Sequence, residues 1–174
     1  PEILAKRNYL KDKLISAFDT FGFQPIETPS FERSEMLLGK YGEEGDRLIF
    51  KILNSGEKIN QADIKAFQSG NLLKFSNSLS QKALRYDLTV PFARYVAQNQ
   101  NDIKFPFRRY QIQNVWRADR PQYGRFQEFL QCDADVVGEP SLWQEVEGIL
   151  LYDCVFSKLN LKGINIKINH RKIL

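Results

Sequence analysis

The chain has a single histidine, His170, among its 174 residues. A Ser-His-Asp or Cys-His relay would have to be built on that one side chain near a terminus, which argues against His-based nucleophilic catalysis. Cysteine is nearly as scarce. Cys132 and Cys154 stand alone, show no metal-ligand spacing, and read as small hydrophobes buried in a strand and a helix. No tightly bound metal is therefore expected. Two thiols so far apart fit a reducing compartment, and a cytoplasmic location is the expectation. The ten glycines never fall into phosphate-loop or dinucleotide spacings. No apolar run approaches the roughly 20 residues of a membrane helix, so no membrane partner is expected. Pro1–Leu10 lacks a signal-peptide pattern. No internal repeat is visible.

What is present suits one globular domain with a proper core: 43% of residues are hydrophobic and 13% aromatic, too many for a disordered chain. The net charge of +4 is mild, but its distribution is uneven. Lys104 to Arg125 carries six basic residues against one acidic; Glu128 to Asp153 carries seven acidic residues and no Lys or Arg. Segregation of this kind points to a phosphate-rich partner for the basic stretch, nucleic acid included, although an ordinary solvated surface would also show charge runs.

Residues 108–137 organise the rest. They read as two antiparallel strands joined by a basic loop. In the second strand Leu130, Cys132, Ala134 and Val136 share one face; Phe129, Gln131, Asp133 and Asp135 share the other. In the first, Tyr110, Ile112 and Trp116 oppose Gln111, Gln113 and Arg117. Each strand is expected to be apolar behind and polar in front. The front sets Arg117 and Arg125 beside Phe129, with Gln131 and Asp135 further along. Anionic oxygens want a forked guanidinium, a purine wants a flat surface, and an ammonium or imidazole N–H wants carboxylate and amide oxygens. A two-faced edge hairpin with solvent charges would show the same alternation.

Around this stretch, the pattern predicts a helix over 2–21, stopped by Gly22, with Ile3, Leu10, Leu14, Ala17, Phe18 and Phe21 on one side. An extended piece over Phe23–Pro29 follows; Pro25 and Pro29 cannot donate to a ladder, so it belongs at an edge or an interface. A short helix is expected at Phe31–Gly39, an acidic turn at Gly42–Asp46 and a strand at Leu48–Leu53. The polar run Asn54–Gln81 reads as a partly mobile excursion with weak helix at Ala62–Phe67. Strand resumes at Ala83–Tyr86. Asp87 then precedes a helix with Pro91 in its first turn, a capping arrangement; alternatively Asp87 and Thr89 turn into the pocket of Gln131. Ser141, with Gln144 three residues on, reads as a capping box for a helix reaching about Leu159. Ile164, Ile166 and Ile168 alternate as a last half-buried strand. Starting at Pro1 and stopping at Leu174, the chain reads as a trimmed piece.

Several of these residues resemble class II aminoacyl-tRNA synthetases. Arg117 closing a strand, a loop, Arg125 and then Phe129 look like motif 2 (about 108–137). The helix and proline-bearing strand at about 2–29 look like motif 1, with Pro29 as its proline. Leu84-Arg85-Tyr86-Asp87-Leu88-Thr89-Val90-Pro91 and Phe129-Leu130-Gln131-Cys132-Asp133-Ala134-Asp135 are similar to the histidyl-tRNA synthetase family specifically. The resemblance covers nearly the whole chain; Asn54–Gln81 is longer than the family's usual connection.

The resemblance implies an α+β fold: an antiparallel sheet of six or seven strands flanked by helices, a truncated class II catalytic core. It implies a homodimer through motif 1, and a two-step reaction in which L-histidine, ATP with Mg2+ as a substrate complex, and the acceptor end of the histidine tRNA are partners. Carried over position by position, Arg117 bridges the histidine carboxylate and the α-phosphate and is the catalytic group. Phe129 stacks on adenine, Arg125 holds the outer phosphates and Asp119 lies near the adenine amino group. Asp87, Leu88, Thr89 and Gln131 bind the histidine end carrying the ammonium, and Asp135 takes the imidazole. Arg120 and Gln122 face the tRNA. Motif 3, the histidine-specific insertion and the anticodon-binding domain are outside 1–174, so this piece alone is expected to be inactive. The alternatives are a synthetase-like regulatory subunit of ATP phosphoribosyltransferase that senses histidine without charging tRNA, a domain of a regulatory kinase that senses uncharged tRNA, and another class II ligase.

Overall fold

The first helix, α1 (Glu2–Thr20), ends where the sequence predicts. Gly22 adopts φ +73°, and the Phe23 and Gly22 amides donate back to Phe18 O and Asp19 O at 3.0 and 3.1 Å, so a left-handed residue closes the helix. Of the expected apolar side only Ala17 and Phe18 are buried; Ile3 and Leu10 are exposed. The structure, a computed structural model, describes residues 1–172.

Instead of a single body there are two compact units built from interleaved segments. Unit 1 takes Pro1–Ile26, Lys104–Tyr110 and Ala134–Leu174; unit 2 takes Glu27–Ile103 and Gln111–Asp133. The long strands β5 (Phe107–Trp116) and β6 (Glu128–Val137) each contribute residues to both, which is why local sequence patterns give no sign of the division.

In unit 1, α1 packs against α7 (Trp143–Lys158). Phe18 stacks on Tyr110 at 4.8 Å and tilts against Phe23 at 6.2 Å. The short edge strand β1 (Gln24–Pro25) runs parallel to β5, pairing Gln24 with Arg109 and Pro25 with Tyr110. Its edge position agrees with the proline argument. Ser141 Oγ accepts from the Trp143 amide at 3.2 Å, but the reciprocal half of the expected capping box is absent: Gln144 Oε1 is buried without a partner. Asn160, at φ +56°, ends the helix. The alternation at Ile164, Ile166 and Ile168 forms no strand, and all three are exposed. Among the described residues no strand pairs with them, and a ladder with one side is not an element.

Unit 2 holds an antiparallel sheet of β2 (Phe31–Arg33), β4 (Lys82–Leu84) and β3 (Lys51–Ile52), in that spatial order. Leu37, Ile49 and Ala83 form its core, with Leu38, Tyr41, Tyr86 and Val90 packed on them. The helix expected over Phe31–Gly39 begins as β2 and becomes helical only at α2 (Ser34–Leu37). The acidic turn is a short helix, α3 (Gly42–Arg47), and the strand expected at Leu48–Leu53 narrows to β3. In α6 (Thr89–Asn99), Arg94 forks onto the buried Glu32 carboxylate through Nε and Nη2 at 2.8–3.1 Å.

The helix expected at Ala62–Phe67 is present as α4 (Ile64–Gln68), and the 54–81 excursion adds a 3-10 turn (Gly56–Gln61) before it and α5 (Leu72–Ser78) after it. Its polar residues act as caps. Asp63 Oδ1 accepts from the Ala66 amide at 2.9 Å and Asn71 Oδ1 from the Lys74 amide at 3.1 Å. Phe67 and Phe75 meet at 5.0 Å, and Asn54 Oδ1 accepts from the Gln81 amide at the base.

The two faces of β5 and β6 also differ from expectation. The polar side of β5 is inside: Arg109, Gln111 and Val115 are fully buried. On β6, Cys132 and Ala134 of the apolar side are exposed, so Cys132 is not the buried hydrophobe its strand position suggested. In unit 2 one cluster of buried polar side chains is satisfied from within. Arg85, 2% exposed, sends Nε to Asn114 O (2.8 Å) and Nη1 to Thr28 O (2.6 Å). Gln111 Nε2 donates to Thr28 Oγ1 at 2.8 Å and the Thr28 amide to Gln113 Oε1 at 3.0 Å. Mutual hydrogen bonding is what makes a polar interior tolerable.

The architecture is α+β. Where the resemblance implies one antiparallel sheet of six or seven strands, the described residues hold two three-stranded sheets with one parallel pair. No described helix is long and apolar enough to cross a membrane.

Candidate functional site

Three backbone hydrogen bonds in unit 2 tie the end of β5 to the chain after β4, to the chain before β3 and to the residue before β6. Trp116 N–H donates to Arg85 O (3.1 Å), Ala118 N–H to Leu48 O (2.8 Å) and Arg117 N–H to Gln127 O (2.9 Å). These place Arg117 against Tyr86. The Arg117 Nε donates to Tyr86 O at 3.2 Å, and its guanidinium lies 4.5 Å from the Tyr86 ring centre and 5.1 Å from that of Phe129. A cation over two ring faces is held electrostatically as well as by packing. Nη2 reaches Gln131 Oε1 at 3.5 Å, too long to fix it firmly.

The cleft around this guanidinium has a volume of about 540 Å³, within the range of small-molecule sites. Of the residues singled out from the sequence, Arg117, Asp119, Arg125 and Phe129 line it. Arg125 is exposed and forms a long ion pair with the Asp119 carboxylate at 3.8 Å. Arg120 and Gln122 are exposed on the same loop, which tightens through paired Gln122 and Arg125 backbone bonds.

Asp87 adjoins the cleft through Tyr41. The Tyr41 hydroxyl donates to Asp87 Oδ1 at 2.8 Å, and the Val90 amide donates to the same oxygen at 3.2 Å. The capping role of Asp87 is therefore present. Burial pushes the Tyr41 phenol well above its ordinary value near 10, and the Asp87 charge and hydrogen bond push it further, so it stays a donor. Thr89 is exposed at the first turn of α6, while the Leu88 side chain is fully buried, leaving only its backbone to reach a ligand. Gln131 Nε2 is held by both oxygens of Asp133, at 2.9 and 3.1 Å. Asp135 belongs to unit 1, where the buried Arg109 pairs with its carboxylate.

Tyr41, Glu44, Tyr86 and Phe126 also line the cleft and were not among the site residues read from the sequence. For Tyr41 and Glu44 the only local signal was a turn-like, glycine-flanked composition. Tyr86 lies inside the Leu84–Pro91 segment, where the sequence shows it only as the end of a strand. Among the described residues no group of His, Cys, Asp or Glu is placed to hold a metal ion.

A family profile described as histidyl-tRNA synthetase matches residues 60–174. The chain belongs to the histidyl-tRNA synthetase family. It is 67% identical over its whole length to the histidine–tRNA ligase of Christiangramia forsetii, of which it spans 38%. Among solved structures, the histidyl-tRNA synthetase of Nostoc matches at 31% identity with a TM-score of 0.67, over 90% of this chain and 31% of that one. A Bacillus halodurans protein described as an ATP phosphoribosyltransferase regulatory subunit/histidyl-tRNA synthetase matches at 25% identity with a TM-score of 0.71, over 93% and 36%. The α+β fold is thus that of the class II core found in histidyl-tRNA synthetases. The Asn54–Gln81 connection, longer than the family's usual one, falls mostly inside the matched family segment.

Proposed function

We propose that the complete protein joins L-histidine to its tRNA through a histidyl-adenylate. The observation that carries this reading is the Arg117 guanidinium, anchored on Tyr86 O and laid over the Tyr86 and Phe129 rings in an open cleft. In the first step a carboxylate oxygen of histidine attacks the α-phosphorus of ATP, and pyrophosphate leaves. Two anions must meet and charge builds at phosphorus, so a preorganised guanidinium is the useful catalyst, and Arg117 supplies it. No general base is needed, because the nucleophile is already ionised. In the second step a ribose hydroxyl at the 3′ end of the tRNA attacks the acyl carbon, and AMP leaves.

Phe129 offers adenine a flat surface, Arg125 the outer phosphates a cation, and Asp119 an acceptor for the adenine amino group. Mg2+ enters with ATP as part of the substrate. Asp87 and Gln131 carry oxygens suited to the histidine ammonium, with Thr89 and the backbone of Leu88 beside them; Asp135 is assigned to the imidazole. Arg120 and Gln122 are assigned to the tRNA acceptor end. Assembly as a homodimer through residues 2–29, and a cytoplasmic location, complete the reading.

Histidine-dependent exchange of pyrophosphate into ATP by the complete protein tests it. Exchange with histidine, and with no other amino acid, is the expected result; exchange driven by a different amino acid, or none, overturns it. The second reading, a histidine-sensing regulatory subunit, is favoured by the Bacillus halodurans match. It forecasts histidine binding without exchange. The higher identity to a ligase and an Arg117–Phe129 cleft suited to ATP favour the enzyme.

A further inference from the structure

Asp87 carries two donors on one oxygen. Tyr41 Oη and the Val90 amide both reach Oδ1, at 2.8 and 3.2 Å. A carboxylate pinned twice through one oxygen has its rotation fixed, and Oδ2 is left to take a further donor. Tyr41 is itself held. Its ring tilts against Tyr86 at 4.6 Å and packs on the Leu37–Ile49–Ala83 core, while its other side lines the cleft. Tyr86 is the residue whose ring and carbonyl hold Arg117. One run of contacts therefore joins the carboxylate of Asp87 to the cation of Arg117 through two tyrosines.

We infer that Tyr41 is a positioning residue for the amino-acid substrate: its hydroxyl orients the Asp87 carboxylate so that Oδ2 meets the substrate's α-ammonium. This rests on the reading of Asp87 as the ammonium-binding group. Burial and the Asp87 charge both raise the Tyr41 phenol, so the donor is present throughout the working pH range. A hydroxyl donating to the carboxylate withdraws one oxygen and leaves the negative charge in place, which an ammonium needs.

Tyr41→Phe in the complete protein removes the hydroxyl and keeps the ring. The expected result is a rise in the histidine KM for pyrophosphate exchange of roughly threefold to tenfold, the size of one net hydrogen bond, with the ATP KM unchanged. Two inhibitors separate positioning from general loosening. Histidinol keeps the ammonium and lacks the carboxylate; 3-(imidazol-4-yl)propanoate keeps the carboxylate and lacks the ammonium. The variant should weaken histidinol by the same factor as histidine and leave the propanoate unaffected. An unchanged histidine KM overturns the inference, as does equal weakening of both inhibitors. A wild-type protein that gives no exchange removes the reading beneath it, and the inference falls with that reading; an active wild type with an indifferent Tyr41→Phe variant removes the inference alone. A melting curve matching wild type marks the variant as folded; a lowered melting temperature together with a raised ATP KM counts as the structural outcome and overturns the proposal.

Discussion

Arg85 and Thr28, 57 positions apart, are joined by a 2.6 Å hydrogen bond from a buried guanidinium to a buried carbonyl. The same guanidinium also serves Asn114 O and Gln113 Oε1 and lies 5.5 Å from the Trp116 ring centre. Arg85→Met would leave several acceptors unpaired at about 1–3 kcal/mol each. A loss of about 3 kcal/mol or more is expected, a large share of the roughly 5–15 kcal/mol of a typical domain. Arg85→Lys should recover little, since an ammonium cannot span the same acceptors. Urea denaturation of the three proteins checks the order.

Arg117→Lys should fold normally, because the side chain is only half-buried and faces a cleft. It loses the planar fork and the stacking on Tyr86 and Phe129. Adenylate formation is expected to fall roughly 100- to 1,000-fold. Rapid-quench measurement of the first turnover checks this, with the melting temperature as the control for folding.

Asp63 couples α4 to α5: it caps Ala66 and meets Lys74 Nζ at 2.9 Å. The Lys74 hydrogen bond first, and the Ala66 amide second, hold its carboxyl below the ordinary value of 3.8. A pKa lowered on folding contributes stability that is full above 3.8 and lost as pH falls through the lower folded value. Protection of the Ala66 amide against hydrogen exchange should therefore drop in strong acid. Asp63→Asn should keep the cap and flatten that dependence; an unchanged acid limb in the variant would show that other groups control it.

Gly138 closes β6 with φ +87°, and an added Cβ would lie 2.6–2.9 Å from the Phe105 side chain. Gly138→Ala is expected to cost about 1–3 kcal/mol from the clash, with backbone strain of similar size added. Phe105→Ala in that background should restore only part, since the Phe105 Cβ is itself among the close atoms and the backbone strain is untouched. Thermal unfolding of the single and double variants measures the split.

Where local chemistry decided the outcome, the sequence was readable. Gly22 stops α1, Pro25 keeps β1 at an edge, and Ser141 starts α7 within a residue or two. Arg117 and Phe129 came together as their strand positions suggested. What was misread depended on partners distant in sequence. Gln111 and Gln113 look like solvent residues until Thr28 and Arg85 are placed beside them. Asn54–Gln81 looks loose until each Asp and Asn is matched to the amide it caps. Ile164–Ile168 alternates without a neighbour to pair with. Tyr41 joins the site only because the fold brings it against Tyr86 and Asp87, 45 and 46 positions on.

The polar interior of β5 also acts as a registration device. Sliding that strand by one residue would exchange its two faces, turning Gln111 and Gln113 away from Thr28 and taking the Gln113 oxygen from the Arg85 guanidinium. An apolar face resists such a slip through lost burial alone. Here every misaligned arrangement forfeits a specific set of donors and acceptors, so the alignment that lays Arg117 over the Phe129 ring is policed from inside the sheet.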